Sequence, residues 1–93
     1  MKRLLLRTAA FTRDLNSWLK IHSSSNERIV AVLDALASDP RTPSLRTHKL
    51  KGKYAGCQAC SAGYDLRIVF QVTELQGDEA IVLLALGTHD DVY

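Results

Sequence analysis

Leu66-Arg-Ile-Val-Phe-Gln-Val72, the turn signal Gln76-Gly-Asp78 and Ala80-Ile-Val-Leu-Leu-Ala-Leu86 decide the fold. The first segment is β-branched and aromatic, a composition that fits a pleated, half-buried surface. The last is almost wholly apolar and of strand length, so it belongs mid-sheet with both faces covered. The short link between them implies antiparallel meander neighbours. Upstream, Arg41-Thr-Pro43 reads as loop, and an extended region begins at His48–Lys53, punctuated by Gly52, Gly56 and Gly63.

The first half has a different period. Lys2 to Arg7 has β potential and predicts a first strand. Phe11, Leu15, Trp18 and Leu19 then fall at i, i+4, i+7 and i+8, one face of a helix. The polar run His22-Ser-Ser-Ser-Asn26 interrupts it, and His22 should simply be exposed there. Ser24 followed by Glu27 is a capping-box pattern, predicting a second helix with the stripe Ile29, Val30, Leu33, Leu36 and Ala37. Asp39-Pro40 ends it, because the residue before proline disfavours the helical region. The expected fold is α+β in the order β-α-α-β-β-β-β. An N-terminal strand and a helical hairpin pack on one face of a twisted antiparallel sheet of four to five strands.

Length and composition exclude several classes. A chain of 93 residues suffices for one compact domain, expected to span residues 1–93. A hydrophobic share of 46% with 24% charged residues argues against disorder. No apolar run approaches the ~20 residues of a membrane span, and the apolar stretch near the start is too short for a signal peptide. The expected location is the cytoplasm, with no membrane partner. The net charge of +2 hides an asymmetry. Arg41, Arg46, Lys49, Lys51 and Lys53 cluster with His48 and no acid, whereas no Lys or Arg follows Arg67. Such a stretch offers a footprint for phosphates, although charge alone favours the plainer reading of a solvated loop that needs its lysines for solubility. Cys57 and Cys60 are three apart, a redox spacing when placed at a helix N-terminus. In a strand they point to opposite faces, which favours two packed thiols over a disulfide or a metal site.

Five chemistry-bearing residues remain. His48 opens the basic run, His89 follows the last apolar strand, and Asp65, Arg67 and Tyr93 lie near strand ends. Together these residue types supply what RNA cleavage without a metal or other cofactor requires: one group to take the 2′-OH proton, one to protonate the leaving 5′-oxygen, and a cation for the phosphate. Imidazole suits the proton steps and the planar guanidinium suits the phosphate. Spacing alone does not show that these residues converge. No Walker loop, dinucleotide fingerprint, HExxH or GxSxG competes.

His48-Lys-Leu-Lys-Gly52, Tyr54 and Gly56, Gly63-Tyr-Asp-Leu-Arg-Ile-Val-Phe70 and Gly87-Thr-His-Asp-Asp-Val-Tyr93 resemble the C-terminal half of RelE/ParE-superfamily toxins, closest to the YafQ branch. The helical hairpin, with Leu36, Asp39-Pro40 and Leu45, follows the same layout, so the resemblance covers almost the whole chain. It implies a type II toxin that cleaves mRNA on the ribosome and is blocked by a cognate antitoxin, expected to be a small acidic DNA-binding dimer. It implies His48 as general base, His89 as general acid, Asp65 as a residue that orients a histidine or shares in proton transfer, and Tyr93 as a stacking aromatic where the family usually has Phe. Arg67 resembles the phosphate-binding arginine of the wider superfamily, although the YafQ branch often has an apolar residue there. Lys49, Lys51, Lys53 and Arg46 are the expected RNA contacts, the three lysines sharing one face of an extended segment. Ala59 and Ser61 stand where YafQ-type toxins have an Asp and a second His. A second reading therefore stands beside the first: an attenuated plasmid-maintenance toxin, or a non-catalytic ParE-like protein that acts by binding, for example on DNA gyrase.

Overall fold

Thr8 turns the chain from its first strand into its first helix. Its hydroxyl accepts the Phe11 N–H at 3.1 Å, capping the helix, and donates to Leu83 O at 2.8 Å, tying that cap to a later strand. The computed structural model describes residues 2–92. Strand β1 is Leu4–Arg7 and helix α1 is Ala9–Ile21. Helix α2, Asn26–Ser38, ends where Asp39 turns extended ahead of Pro40. Four strands follow: β2 His48–Lys49, β3 Gln58–Ser61, β4 Leu66–Leu75 and β5 Asp78–Thr88. A short helix α3, His89–Val92, follows directly on β5.

The five strands lie in the order β1-β5-β4-β3-β2, so the apolar β5 is internal, as its sequence demands. β2 to β5 pair antiparallel in succession. The β4–β5 hairpin turns on Gln76 and Gly77, with φ of 53° and 88°. Positive φ at both central residues matches the twist of the flanking strands. The sheet is mixed, however, because β1 runs parallel to β5, Leu4 opposite Ala80. The expectation of a wholly antiparallel sheet rested on short links, which exist only among the later strands. The direction of β1 is set instead by the long crossover through the helices.

The two faces of the sheet are covered differently. Phe11, Leu15, Ile29, Leu33 and Leu36 of α1 and α2 pack with Ile68, Phe70, Ile81 and Leu83 on one face. Leu50, Ala59, Val69, Ala85 and Val92 form a smaller cluster on the other. Val30, read as part of the α2 stripe, is exposed, and the half-buried Val32 packs against the core instead. The Ser24–Glu27 capping box does not form either. A 3-10 turn, Ser23–Ser25, runs straight into α2, and the Asn26 N–H bonds to Ser23 O, so backbone carbonyls take the place of the side-chain cap. Glu79 fastens the start of β5 to two separate segments. It accepts from Arg3 Nε at 2.6 Å and Arg41 Nη2 at 3.2 Å, and these bonds hold its carboxyl below its ordinary range. One cation of the basic stretch, Arg41, is thereby neutralised.

Candidate functional site

Strand register places two of the sequence-predicted residues, His48 and Arg67, on the face away from α1 and α2. His48 lies opposite Ala59, Ala59 opposite Val69, and Val69 opposite Ala85. Ala59, Val69 and Ala85 all belong to the smaller cluster. Directly opposed residues project from one face, so His48 rises from this open face. The next row on the same face is Ser61, Arg67 and Gly87. Ala59 and Ser61 thus fall beside His48 and Arg67, placing an apolar and a hydroxyl side chain within the two rows.

Arg67 is half-buried. Its Nη1 donates to Leu66 O at 3.1 Å and Gly63 O at 3.5 Å, which anchors the guanidinium at the start of β4. His48 is exposed, with Nδ1 3.2 Å from Arg46 O. Beyond Gly87 the chain enters α3, with His89 its first residue. The His89 side chain is 56% exposed, its Nδ1 3.8 Å from Asp90 Oδ1. Asp65 meets His89, but through the backbone: Asp65 Oδ1 accepts the His89 N–H at 3.3 Å. Tyr93 lies outside the described residues.

Sequence reading missed the bonds that hold this end together. Thr88 and Asp91 form the reciprocal capping box: Thr88 N–H donates to Asp91 Oδ2 at 2.9 Å, and Asp91 N–H donates to Thr88 Oγ1 at 3.3 Å. The signal was present, since Thr88-x-x-Asp91 has the same form as the Ser24-x-x-Glu27 pattern. Asp14 adds a further tie from α1, accepting Leu86 N–H at 3.1 Å.

The lysines do not share one face of a strand. β2 ends at Lys49, and Lys53 lies in a 3-10 turn, Gly52–Tyr54, with its Nζ 5.2 Å from the Tyr54 ring centre. Leu50 packs into the open-face cluster, so Lys49, its neighbour in the extended chain, points away from it. Lys49, Lys51, Lys53 and Arg46 are all exposed. His22 is exposed as expected and stacks on Trp18, ring centres 4.1 Å apart.

The cysteines occupy opposite faces, Cys57 against the open-face cluster and Cys60 in the helix-side core. Both are free thiols. Burial pushes the Cys60 thiol up to about 12, outweighing the opposite pull of the Arg67 charge. Among the described residues no three His, Cys, Asp or Glu side chains group as metal ligands would.

A sequence model of the family described as bacterial toxin of type II toxin-antitoxin system, YafQ, matches residues 3–93. The chain belongs to the YafQ toxin family. Comparison with the sequences of curated proteins gives no match. Solved structures share the family's fold. A YoeB/ParE toxin from Agrobacterium tumefaciens superposes with a TM-score of 0.75 at 19% identity, covering 92% of this chain and 98% of that one. A mutant toxin from Helicobacter pylori, solved with copper bound, gives 0.69 at 25% identity over 100% of both chains. The Escherichia coli DinJ-YafQ toxin-antitoxin complex gives 0.70 at 17% identity over 100% of this chain and 99% of that one. As a YafQ-family member, this chain carries the α+β toxin fold, with helices packed on a five-stranded mixed sheet. No helix among its described residues is long and apolar enough to cross a membrane.

Proposed function

We propose that this YafQ-family toxin is an endoribonuclease that cuts messenger RNA on the ribosome, without a metal, through attack of a ribose 2′-OH on the adjacent phosphate. The observation that carries the reading is the gathering of His48 and Arg67 in adjoining rows of one sheet face, with Asp65 and His89 meeting at its end. His48 takes the 2′-OH proton as base. His89 protonates the departing 5′-oxygen. Arg67 stabilises the charge on the phosphate, leaving a cyclic phosphate and a free 5′-hydroxyl. Tyr93 is the aromatic on which a base stacks. Arg46, Lys49, Lys51 and Lys53 meet RNA phosphates on a flank of the site. The chain works as one domain in the cytoplasm. A cognate antitoxin covers it, as DinJ accompanies YafQ in the Escherichia coli complex. An acidic antitoxin segment would suit the exposed Arg46–Lys53 stretch.

The test is transcript cleavage on programmed ribosomes by wild type and His89→Gln at matched occupancy. A positioned general acid typically contributes ~10²–10⁴-fold in rate, and a loss of that order is expected. Equal cleavage removes His89 from the mechanism. One observation favours a second reading, an attenuated or binding-only toxin: Ala59 and Ser61 bring no proton carrier to the two rows that hold His48 and Arg67. Growth arrest with intact transcripts and inhibited DNA gyrase would select it.

A further inference from the structure

We propose that Gly87, Thr88 and Asp91 are positioning residues that fix α3 so that His89 is presented beside Arg67, and that Asp65 belongs to this clamp as an acceptor for backbone rather than as a proton carrier. The inference rests on the nuclease reading of the site. Four independent observations converge on it. Thr88 and Asp91 cap each other reciprocally, at 2.9 and 3.3 Å. Asp65 takes the His89 N–H, an amide that the first turn of a helix leaves unpaired. Val92, 6% exposed, plugs the far end of the helix into the open-face cluster. Gly87 leaves the room all this needs. A Cβ placed there would stand 2.8 Å from Asp91 Cβ and 2.9 Å from Asp91 Oδ2, closer than such atoms approach. Its φ is not positive, so space and not backbone freedom accounts for this glycine.

The arrangement turns a strand end into a rigid mount. Gly87 lies directly opposite Arg67 in the β4–β5 register, and His89 is two residues further on. Where His89 stands relative to the Arg67 position therefore depends on how tightly α3 folds back at Gly87. Added bulk at that point, or loss of the box, releases the helix and moves His89. Misplacing a catalytic group by ~1 Å can cost ~10²-fold in rate.

The experiment measures single-turnover cleavage of a transcript on programmed ribosomes at saturating toxin. It compares wild type, Gly87→Ala, Asp91→Ala, Asp91→Asn, Thr88→Ala, Thr88→Ser and His89→Gln. Amide exchange and ring resonances of His89 are followed by NMR in parallel. Asp91 is exposed, so its replacement leaves the core in place even if Gly87→Ala fails to fold. Asp91→Ala is expected to lower the rate ~10- to 100-fold with ribosome affinity unchanged, while His89 exchange accelerates. Asp91→Asn and Thr88→Ser keep an acceptor and should restore most of the rate. A merely structural cap would shift the unfolding midpoint and leave rate and ring resonance alone. Loss of cleavage in His89→Gln together with a wild-type rate in Asp91→Ala would overturn the clamp and leave the nuclease reading standing. Wild-type cleavage by His89→Gln would overturn that reading, and the clamp's catalytic meaning with it. Failure of Asp91→Asn to rescue would show that Asp91 itself carries charge or a proton, contradicting a positioning role.

Discussion

The cysteine pair offers a sharp test of the sheet geometry, because its two readings differ in sign and size. A redox pair needs one thiol ionised and both sulfurs within reach. The structure gives the opposite: Cys60 is buried in the helix-side core and its thiol is pushed from 9.0 to about 12. A group that keeps its proton in the folded state but sheds it when unfolded loses stability as pH rises. The loss begins above pH 9 and levels off above the folded value. At ~1.4 kcal/mol per unit of difference, the thiol should cost the folded state roughly 1 kcal/mol at pH 10 and roughly 3 kcal/mol at pH 11. Tyrosines and lysines titrate in the same range, so the measurement is a difference. Urea unfolding of wild type and Cys60→Ala, in reductant, is followed at steps from pH 8 to pH 11. Alanine carries a constant cost for the lost sulfur contacts, and the gap between the two curves should narrow with pH. Curves that stay parallel would refute the burial argument. A Cys57–Cys60 disulfide formed under mild oxidant in the folded protein would refute the opposite-face placement outright.

Other consequences follow from the same placements. His48→Gln should lower cleavage as is expected of His89→Gln, and the double variant should be less than additive if both act in one step; full additivity in single-turnover rates would place them in separate steps. Replacing Lys49, Lys51 and Lys53 together with Ala should weaken ribosome association and flatten its salt dependence, since each phosphate contact releases counterions; an unchanged slope in sedimentation across a salt series would make them solvated lysines only. Glu79 holds its carboxyl low through Arg3 and Arg41, so its contribution to stability is present above its ordinary value of 4.5 and lost as pH falls through the lowered one. Glu79→Gln should flatten that acid-side slope, read by thermal unfolding below neutrality.

Much of the fold was legible because hydrophobic period is set by element geometry. The stripe Phe11, Leu15, Trp18, Leu19 and the apolar β5 each report a buried face directly. What failed were inferences about connection. Nothing local to Lys2–Arg7 specifies its direction against β5, because a partner some seventy residues distant is chosen by the path of the helices between. The lysine alternation failed because a two-residue strand gives way to a 3-10 turn, and the Ser24 cap because a preceding turn supplied carbonyls first. In the candidate site, residue types were readable and their contacts were not. Asp65 was expected beside a histidine and is, yet it takes the histidine's backbone amide.

That last contact bears on how the two rows divide their tasks. A carboxylate oxygen that accepts a backbone N–H is committed to holding that stretch of backbone in place. Asp65 accepts from His89 N–H, Asp91 from Thr88 N–H and Asp14 from Leu86 N–H. All three acids therefore act on the end of β5 and the α3 that grows from it, while Ala59 and Ser61 remove further acid or imidazole from the open face. With the carboxylates engaged as fasteners, the proposed nuclease mechanism leaves proton transfer to His48 and His89. A site so reduced tolerates little displacement of either ring, which accounts for an arrangement that surrounds one four-residue helix with a reciprocal cap, an acceptor from the β3–β4 loop, a buried Val92 and a glycine that leaves it room.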